Sequence, residues 1–320
     1  MPGDQPAQSA VEVSPVAGCL INCIDQYVKR KSKKYLLPLA LLCLPLAVIG
    51  FQFYPLSRPP RAYHHAELFE GIEYTRRIRA VPRPLVIHTM TIDLTVPDIA
   101  FLVTPTDPGT EIAARTTSAF LHEFGTQVAI NGSFFEPFKA RTPWDYYPRA
   151  GDRVRVNGLA ISNSTAYSEP QEAWPMLCIA DGRVTIDRAY CPLDTTQALA
   201  GNRLLVENGQ AVKHADASRH PRTAVALGGE GTKLWLVVID GRQRRYSEGV
   251  TLAELAEIIL ELGADVAINL DGGGSSTMVA AGPRGPEILN APIHTGIRMR
   301  QRPVANHLGI YARPLIEGTQ

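Results

Sequence analysis

The chain has 320 residues, is 45% hydrophobic and balances 32 Lys and Arg against 31 Asp and Glu, for a net charge of +1 and a pI near 7.7. That is enough apolar material for one sizeable core or two small ones. The near-neutral balance excludes the broad basic field needed to grip a nucleic-acid backbone, so no nucleic-acid partner is expected.

Residues 1–28 are polar and small without apolar periodicity, the composition of a disordered tail. Lys29, Arg30, Lys31, Lys33 and Lys34 then precede Tyr35–Tyr54, an uncharged stretch of about 20 residues that is long enough to cross a bilayer as a helix. Only Arg58 and Arg61 follow it closely, so the positive-inside bias puts the N-terminus in the cytoplasm and the long remainder in the periplasm or outside the cell. A cleaved signal peptide is the competing reading, but the apolar stretch is long for one and no clear Ala-x-Ala site follows. The expected organisation is a cytoplasmic tail over 1–34, a single transmembrane anchor over 35–55, a juxtamembrane linker over 56–80, a folded domain over 81–314 and a C-terminal tail over 315–320.

Within the domain, Leu85 to Val96 alternates, with Val86, His88, Met90, Ile92, Leu94 and Val96 on one face and Thr89, Thr91, Asp93 and Thr95 on the other. This is the pattern of a half-buried strand, with His88 on its core side. A second strand covers Ala100 to Thr104, and Thr116 to Phe124 reads as a short helix stopped by Gly125. Gln127 to Asn131 is an apolar strand that runs into Asn131-Gly132-Ser133-Phe134-Phe135-Glu136. There Asn131 brings an amide that both donates and accepts, and Glu136 brings a carboxylate. Between Lys139 and Pro148, Trp144, Tyr146 and Tyr147 sit among Pro and charged residues, a composition suited equally to stacking on sugar rings and to surface anchoring.

If the domain is exported, Cys178 and Cys191 are the cysteines left in an oxidising compartment, since Cys19, Cys23 and Cys43 precede or lie within the anchor. They flank a hairpin signal at Asp181-Gly182, so a Cys178–Cys191 disulfide is expected, with two isolated buried thiols as the alternative. No Cys/His spacing resembles a zinc site. Further on, Arg222–Gly228 and Thr232–Ile239 form a hairpin whose second arm ends in Asp240-Gly241-Arg242, and Thr251 to Glu254 opens a helix that stops at Gly263. A last strand covers Val304 to Tyr311.

The richest stretch is Ala267 to Thr277. An apolar strand ends in Asn269-Leu270-Asp271 and breaks into Gly272, Gly273 and Gly274, followed by Ser275, Ser276 and Thr277. Three glycines permit turns and close backbone approaches, and such a loop can aim several N–H groups at one anion while Asp271 supplies a carboxylate. The run lacks the Gly-Lys-Ser/Thr ending of a nucleotide loop and the Gly-x-Ser-x-Gly elbow of a serine hydrolase. The fold class these elements imply is α+β, with mixed, largely antiparallel sheets and a few packed helices behind one transmembrane helix.

Taken together and in this order, Asn131-Gly-Ser-Phe-Phe135, Pro221-Arg-Thr-Ala-Val225, Asp240-Gly-Arg242, the Gly249–Gly263 helix, Asn269-Leu-Asp-Gly-Gly-Gly-Ser-Ser276 and Arg302-Pro-Val-Ala-Asn306 resemble the phosphodiester glycosidase family. The resemblance spans roughly residues 81–314, with one departure at Ser133, where the family more usually has a second glycine. It implies hydrolysis of a sugar-1-phosphodiester at the glycosidic C–O bond and a phosphorylated glycan as substrate. The departing phosphate monoester is a stable anion, so the usual demand for a general acid is relaxed. On this reading Arg222 and the N–H groups from Gly272 to Ser275 hold the phosphate, and Asp271 attacks the anomeric carbon or activates water, with Glu136 or Asp240 as partner. Asn131, Gly132, Ser133, Asn269, Ser276, Arg302 and Asn306 bind substrate or hold the loop. No cofactor is required, although Asp and Asn side chains with hydroxyls suit a hard cation such as calcium or magnesium. Two other functions compete: a non-catalytic module that binds or assembles exopolysaccharide, and a phosphodiesterase that breaks the P–O bond.

Overall fold

The computed structural model describes residues 58–106, 111–180 and 182–315. The expected tail and anchor lie outside these residues; among the described ones, no helix is long and apolar enough to cross a membrane.

Among the described residues the architecture is strand-rich, with two helices and three main sheets in which every strand pairing is antiparallel. The "mixed" part of the expectation is thereby corrected: each helix does cross over between two strands of one sheet, but Arg222–Gly228 or His307–Tyr311 lies between the strands so joined and pairs antiparallel with both. The largest sheet has eight strands in the order His64–Phe69, Ile72–Arg79, Leu85–Asp93, Lys233–Ile239, Arg222–Gly228, Ala264–Asn269, Arg203–Glu207 and Gln210–Ala211. A five-stranded sheet runs Gly285–Ile288, Met278–Gly282, Val128–Asn131, His307–Tyr311 and Ala100–Val103. The other five-stranded sheet carries the hairpin Met176–Ala180 and Arg183–Asp187, where Cys178 and Cys191 are joined by a disulfide with their Cα atoms 5.5 Å apart.

The large sheet is buried on both faces. Met90, Ile92, Val225, Leu236 and Ile268 meet Ile130, Met278 and Leu308 of the five-stranded sheet in one core. Leu85, Ile87, Ala224, Val237 and Ala267 point the other way, under Leu255, Ala256 and Ile259 of the helix Leu252–Leu260. The strand over 85–93 is therefore not half-buried as its alternation implied, because the helix covers its second face as well. The helix itself starts where expected. Thr251 accepts from the Glu254 N–H and Glu254 returns a bond to the Thr251 N–H, a capping box that satisfies two otherwise orphaned donors. On the outer side of the five-stranded sheet, Phe120 and Leu121 of the helix Thr117–Phe124 pack on Leu102, Ala129 and Val279. The result is two sheets face to face between two helices.

The sheet begins at His64, inside the segment expected to be linker. Its second strand keeps the period-two pattern, with Ile72 and Tyr74 buried, but places Arg76 at the next inward position, where its Nε donates to the Ala62 carbonyl at 3.0 Å. A charge on the inward face hides a strand from a hydrophobicity reading.

Candidate active site

The loop Leu270–Thr277 crosses from the Ala264–Asn269 strand of the large sheet to Met278–Gly282 of the five-stranded sheet, so it bridges the top of the shared core. Asn131, the last residue of its strand and fully buried, ties the two sheets to that loop. Its Nδ2 donates to the Asp271 carbonyl at 2.6 Å, while its Oδ1 accepts from Thr223 Oγ1 at 2.9 Å and from the Thr277 N–H at 3.1 Å. The backbone adds Asp271 N–H to the Gly132 carbonyl at 3.1 Å and Leu270 N–H to the Thr223 carbonyl at 2.9 Å. With both amide atoms of a buried Asn satisfied, the loop is held rigidly.

Beside the loop lies a cavity of about 390 Å³ whose walls include Asp271, Gly272, Gly273, Arg222, Arg242, Arg302, His220, Phe134 and Phe138. Three guanidinium groups thus face one carboxylate, and the glycines let two of them approach. A Cβ on Gly273, which has φ +64°, would lie 3.1 Å from the Arg242 guanidinium, and one on Gly274 would lie 2.7 Å from that of Arg302. Each arginine is fixed by its own partners. Arg222 donates to the Val250 carbonyl at 3.2 Å and the Ser218 carbonyl at 2.9 Å, with Asp216 at 3.4 Å. Arg242 donates to His220 Nδ1 at 3.0 Å, and Arg302 to His294 Nδ1 at 3.3 Å and Ser275 Oγ at 2.9 Å.

Asp271 accepts from Ser275 Oγ at 2.6 Å and has Arg302 Nη1 at 3.9 Å. Burial nevertheless outweighs these attractions and pushes its carboxyl above the ordinary value, toward the range useful to a base or nucleophile. Burial also works against the charge on Arg222, Arg242 and Arg302. A site that holds two buried cations, Arg222 and Arg302, and a third, Arg242, at its rim around one carboxylate gains by admitting an anion. His294 is pushed down to about 3, first by burial and then by Arg302 and Arg300, so it meets Arg302 as a neutral acceptor.

The other expected residues have different places. The Asp240 carboxylate is buried away from the cavity, where it accepts from Asn290 Nδ2 at 3.0 Å and the Ala291 N–H at 2.8 Å and meets His88 Nε2 at 2.9 Å. Glu136 is exposed and does not line the cavity. Neither stands where a second reacting carboxylate would: Asp240 is held by those buried donors, and Glu136 ends a short strand, Phe135–Glu136, paired with Arg153–Val156. Two of the backbone amides also differ from expectation: Gly273 N–H donates to the Pro221 carbonyl at 2.8 Å, beside the start of the Arg222–Gly228 strand, and Ser275 N–H donates within the loop to the Gly272 carbonyl at 3.2 Å. Asn306 Oδ1 accepts from the Ser133 N–H at 2.8 Å, and Asn269 Nδ2 donates to Asn202 Oδ1 at 2.8 Å. A Cβ on Gly132 would meet Asn306 Oδ1 at 2.6 Å, so Gly132, Ser133 and Asn306 form a packed joint behind the site. Ser276 is buried beside the loop and its carbonyl accepts from Asn290 Nδ2 at 3.0 Å. Arg242 stood in the Asp240-Gly241-Arg242 motif without an expected role, and neither it nor His220, which both line the cavity, is marked by a local sequence signal. Among the described residues, no group of three or more His, Cys, Asp and Glu side chains converges as a metal site would.

The model of the phosphodiester glycosidase family matches residues 124–311, a span that contains Asn131, Arg222, Arg242, Asp271 and Arg302. The chain belongs to the phosphodiester glycosidase family. Two solved structures share the fold of this family member. A hypothetical protein from Synechocystis aligns with TM-score 0.61 at 16% identity, over 80% of this chain and 64% of that one. The catalytic domain of zebrafish N-acetylglucosamine-1-phosphodiester alpha-N-acetylglucosaminidase, auto-inhibited by its pro-peptide, aligns with TM-score 0.52 at 19% identity, over 79% of this chain and 88% of that one. The chain therefore spans somewhat under two thirds of the length of the Synechocystis protein. No curated protein matches the sequence.

Proposed function

We propose that this protein hydrolyses a sugar-1-phosphodiester at the glycosidic C–O bond, in the metabolism of a glycan or envelope polysaccharide. The observation that carries the reading is the single cavity in which the buried Asp271 carboxylate faces Arg222, Arg242 and Arg302. Guanidinium groups grip phosphate oxygens in pairs and offset the charge that gathers on the departing phosphate. Asp271 attacks the anomeric carbon or takes a proton from water that does so. The C–O electron pair leaves with the phosphate, whose monoester is stable as formed, so a second carboxylate has no necessary task. That agrees with Asp271 being the cavity's only carboxylate among the described residues. Charge neutralisation comes from the arginines, and the proposed reaction needs no cofactor.

We place the domain outside the cytoplasm, tethered by the apolar stretch Tyr35–Tyr54, on the strength of that stretch and of a disulfide that suits an oxidising compartment. Release by osmotic shock without detergent, or equal thiol counts with and without reductant after denaturation, would count against it.

The test of the reaction is incubation of full-length protein with synthetic sugar-1-phosphodiesters in ¹⁸O-labelled water. Label in the sugar supports the proposal. Label in the phosphate means P–O cleavage, and glycan retention without product means a binding module; either result overturns it.

A further inference from the structure

Next to the catalytic cavity lies a second one of about 280 Å³, which shares Ala140, Arg242 and Arg302 with it and is otherwise walled by Arg141, Thr142, Pro143, Ile293, Thr295 and Gly296. The two arginines stand as a partition. A phosphodiester held between them has one ester oxygen toward Asp271 and the other toward the second cavity. The anomeric carbon must lie on the Asp271 side for that carboxylate to act. The leaving group is then the occupant of the second cavity.

Its chemistry is one-sided. Arg141, Arg242 and Arg302 line it, and no acidic side chain does. Arg300 stands beside it, with Nη1 donating to Thr295 Oγ1 at 3.1 Å and to the Pro143 carbonyl at 2.9 Å, and its guanidinium lies 4.4 Å from the centre of the Tyr146 ring. The nearest carboxylate on the same loop, Asp145, is paired with Lys139. Among the described residues the Arg141 guanidinium has no carboxylate partner. Thr142, whose Oγ1 accepts from the Asp145 N–H at 2.9 Å, adds a hydroxyl that can donate to an oxyanion, whereas the Thr295 hydroxyl donates to the His294 carbonyl at 2.7 Å. A leaving group that is a neutral alcohol would leave this charge unanswered.

Resting on the glycosidase reading above, we propose that the second cavity is a leaving-group subsite selective for an anionic group, a second phosphate above all, so that a sugar esterified to a diphosphate is preferred over the same sugar esterified to a neutral alkyl phosphate. The reaction remains hydrolysis. The C1–O bond breaks with its electron pair on the proximal phosphate oxygen, water supplies the new C1–O bond, and its remaining proton is released through Asp271. A second phosphate also improves the leaving group electronically, so preference alone is insufficient and the dependence on Arg141 is the decisive part.

The experiment compares kcat/KM of full-length protein on two synthetic substrates that share one sugar, a 1-(methyl phosphate) and a 1-(methyl diphosphate), for the parent, Arg141→Ala and Arg141→Glu. Arg141 is exposed and on a loop, so neither variant threatens the fold. We expect the parent to favour the diphosphate by about tenfold or more, the ratio to fall several-fold in Arg141→Ala, and the ratio to fall further in Arg141→Glu, with the loss carried mainly by KM. Equal use of both substrates by the parent, or a ratio that Arg141→Glu leaves unchanged, overturns the subsite while leaving the glycosidase reading intact. Turnover of neither substrate removes the glycosidase reading and the subsite with it.

Discussion

Asp240 and Asp271 share one local setting in sequence: each follows the apolar end of a strand of the large sheet and each precedes a glycine. Both are buried. Their surroundings separate them. Around Asp240, His88, Asn290 and the Ala291 N–H meet both carboxylate oxygens, and the network continues through Tyr74, whose hydroxyl lies 2.8 Å from His88 Nδ1. Asp271 has Ser275 and a more distant Arg302 on one oxygen, and a cavity beside it. A carboxylate whose hydrogen-bonding capacity is filled by fixed donors is structural; one left partly unfilled at a cavity wall is poised for chemistry.

This contrast can be broken most directly by neutralising each acid. Asp271→Asn is expected to lower turnover by at least about 100-fold, the scale of a lost charged catalytic contact. Because burial holds the Asp271 carboxyl above its ordinary value, ionising it within the fold costs stability, a cost that grows as pH rises through that raised value. The Asn variant should therefore melt at or above the parent's temperature near neutral pH. Asp240→Ala should do the reverse. It strands buried donors from His88, Asn290 and Ala291 and should cost about 3–5 kcal/mol, read as a lowered denaturation midpoint. If Asp240→Ala proves stable and inactive while Asp271→Asn proves unstable, the two roles are exchanged.

The cations are next in size. Arg302→Ala and Arg222→Ala should each reduce kcat/KM on a sugar-1-phosphodiester by about 100-fold, and near-normal values in either would remove that residue from the mechanism.

A smaller effect comes from acid. His294 and His307 are both buried and both pushed down to about 3, burial being the first cause in each. The unfolded chain accepts protons near pH 6.5 that the folded one refuses, so stability is full above that value and declines as pH falls from there toward 3. Each histidine should remove about 2 kcal/mol between pH 6.5 and 5, and His307→Asn should roughly halve the slope in chemical denaturation. Stability that is flat over this interval would mean that neither imidazole is held neutral. The smallest expected change is Gly273→Ala, about 1 kcal/mol of backbone strain, read as a lowered denaturation midpoint, together with a several-fold rise in KM as Arg242 is pushed aside.

Much of this site was legible in the chain because its parts sit where strands end. Asn131 and Asp271 announce themselves by ending apolar runs, Arg222 by opening one, and the capping box at Thr251 marks the helix that covers the sheet. Other parts were not. Arg242 at φ +57° is exposed in a turn beside the cavity, which nothing in Asp240-Gly241-Arg242 signals. The amides of Gly273 and Ser275 looked available for an anion and are consumed by the Pro221 carbonyl of a distant segment and by the Gly272 carbonyl of the loop itself, because buried backbone donors find partners wherever packing brings them.

What the sequence alone determined is the set of groups: a buried strand ending in a carboxylate, glycines that admit close neighbours, arginines and an asparagine at other strand ends, and two cysteines around a hairpin. Those follow from side-chain period and backbone preference, which act over a few residues. Only the tertiary structure decided which aspartate faces the cavity, that three guanidinium groups line the cavity with it, and that Asn131 braces the loop. Each of these depends on how many fixed donors reach a given oxygen from segments far apart in the chain, and that number exists only once two sheets have packed against each other.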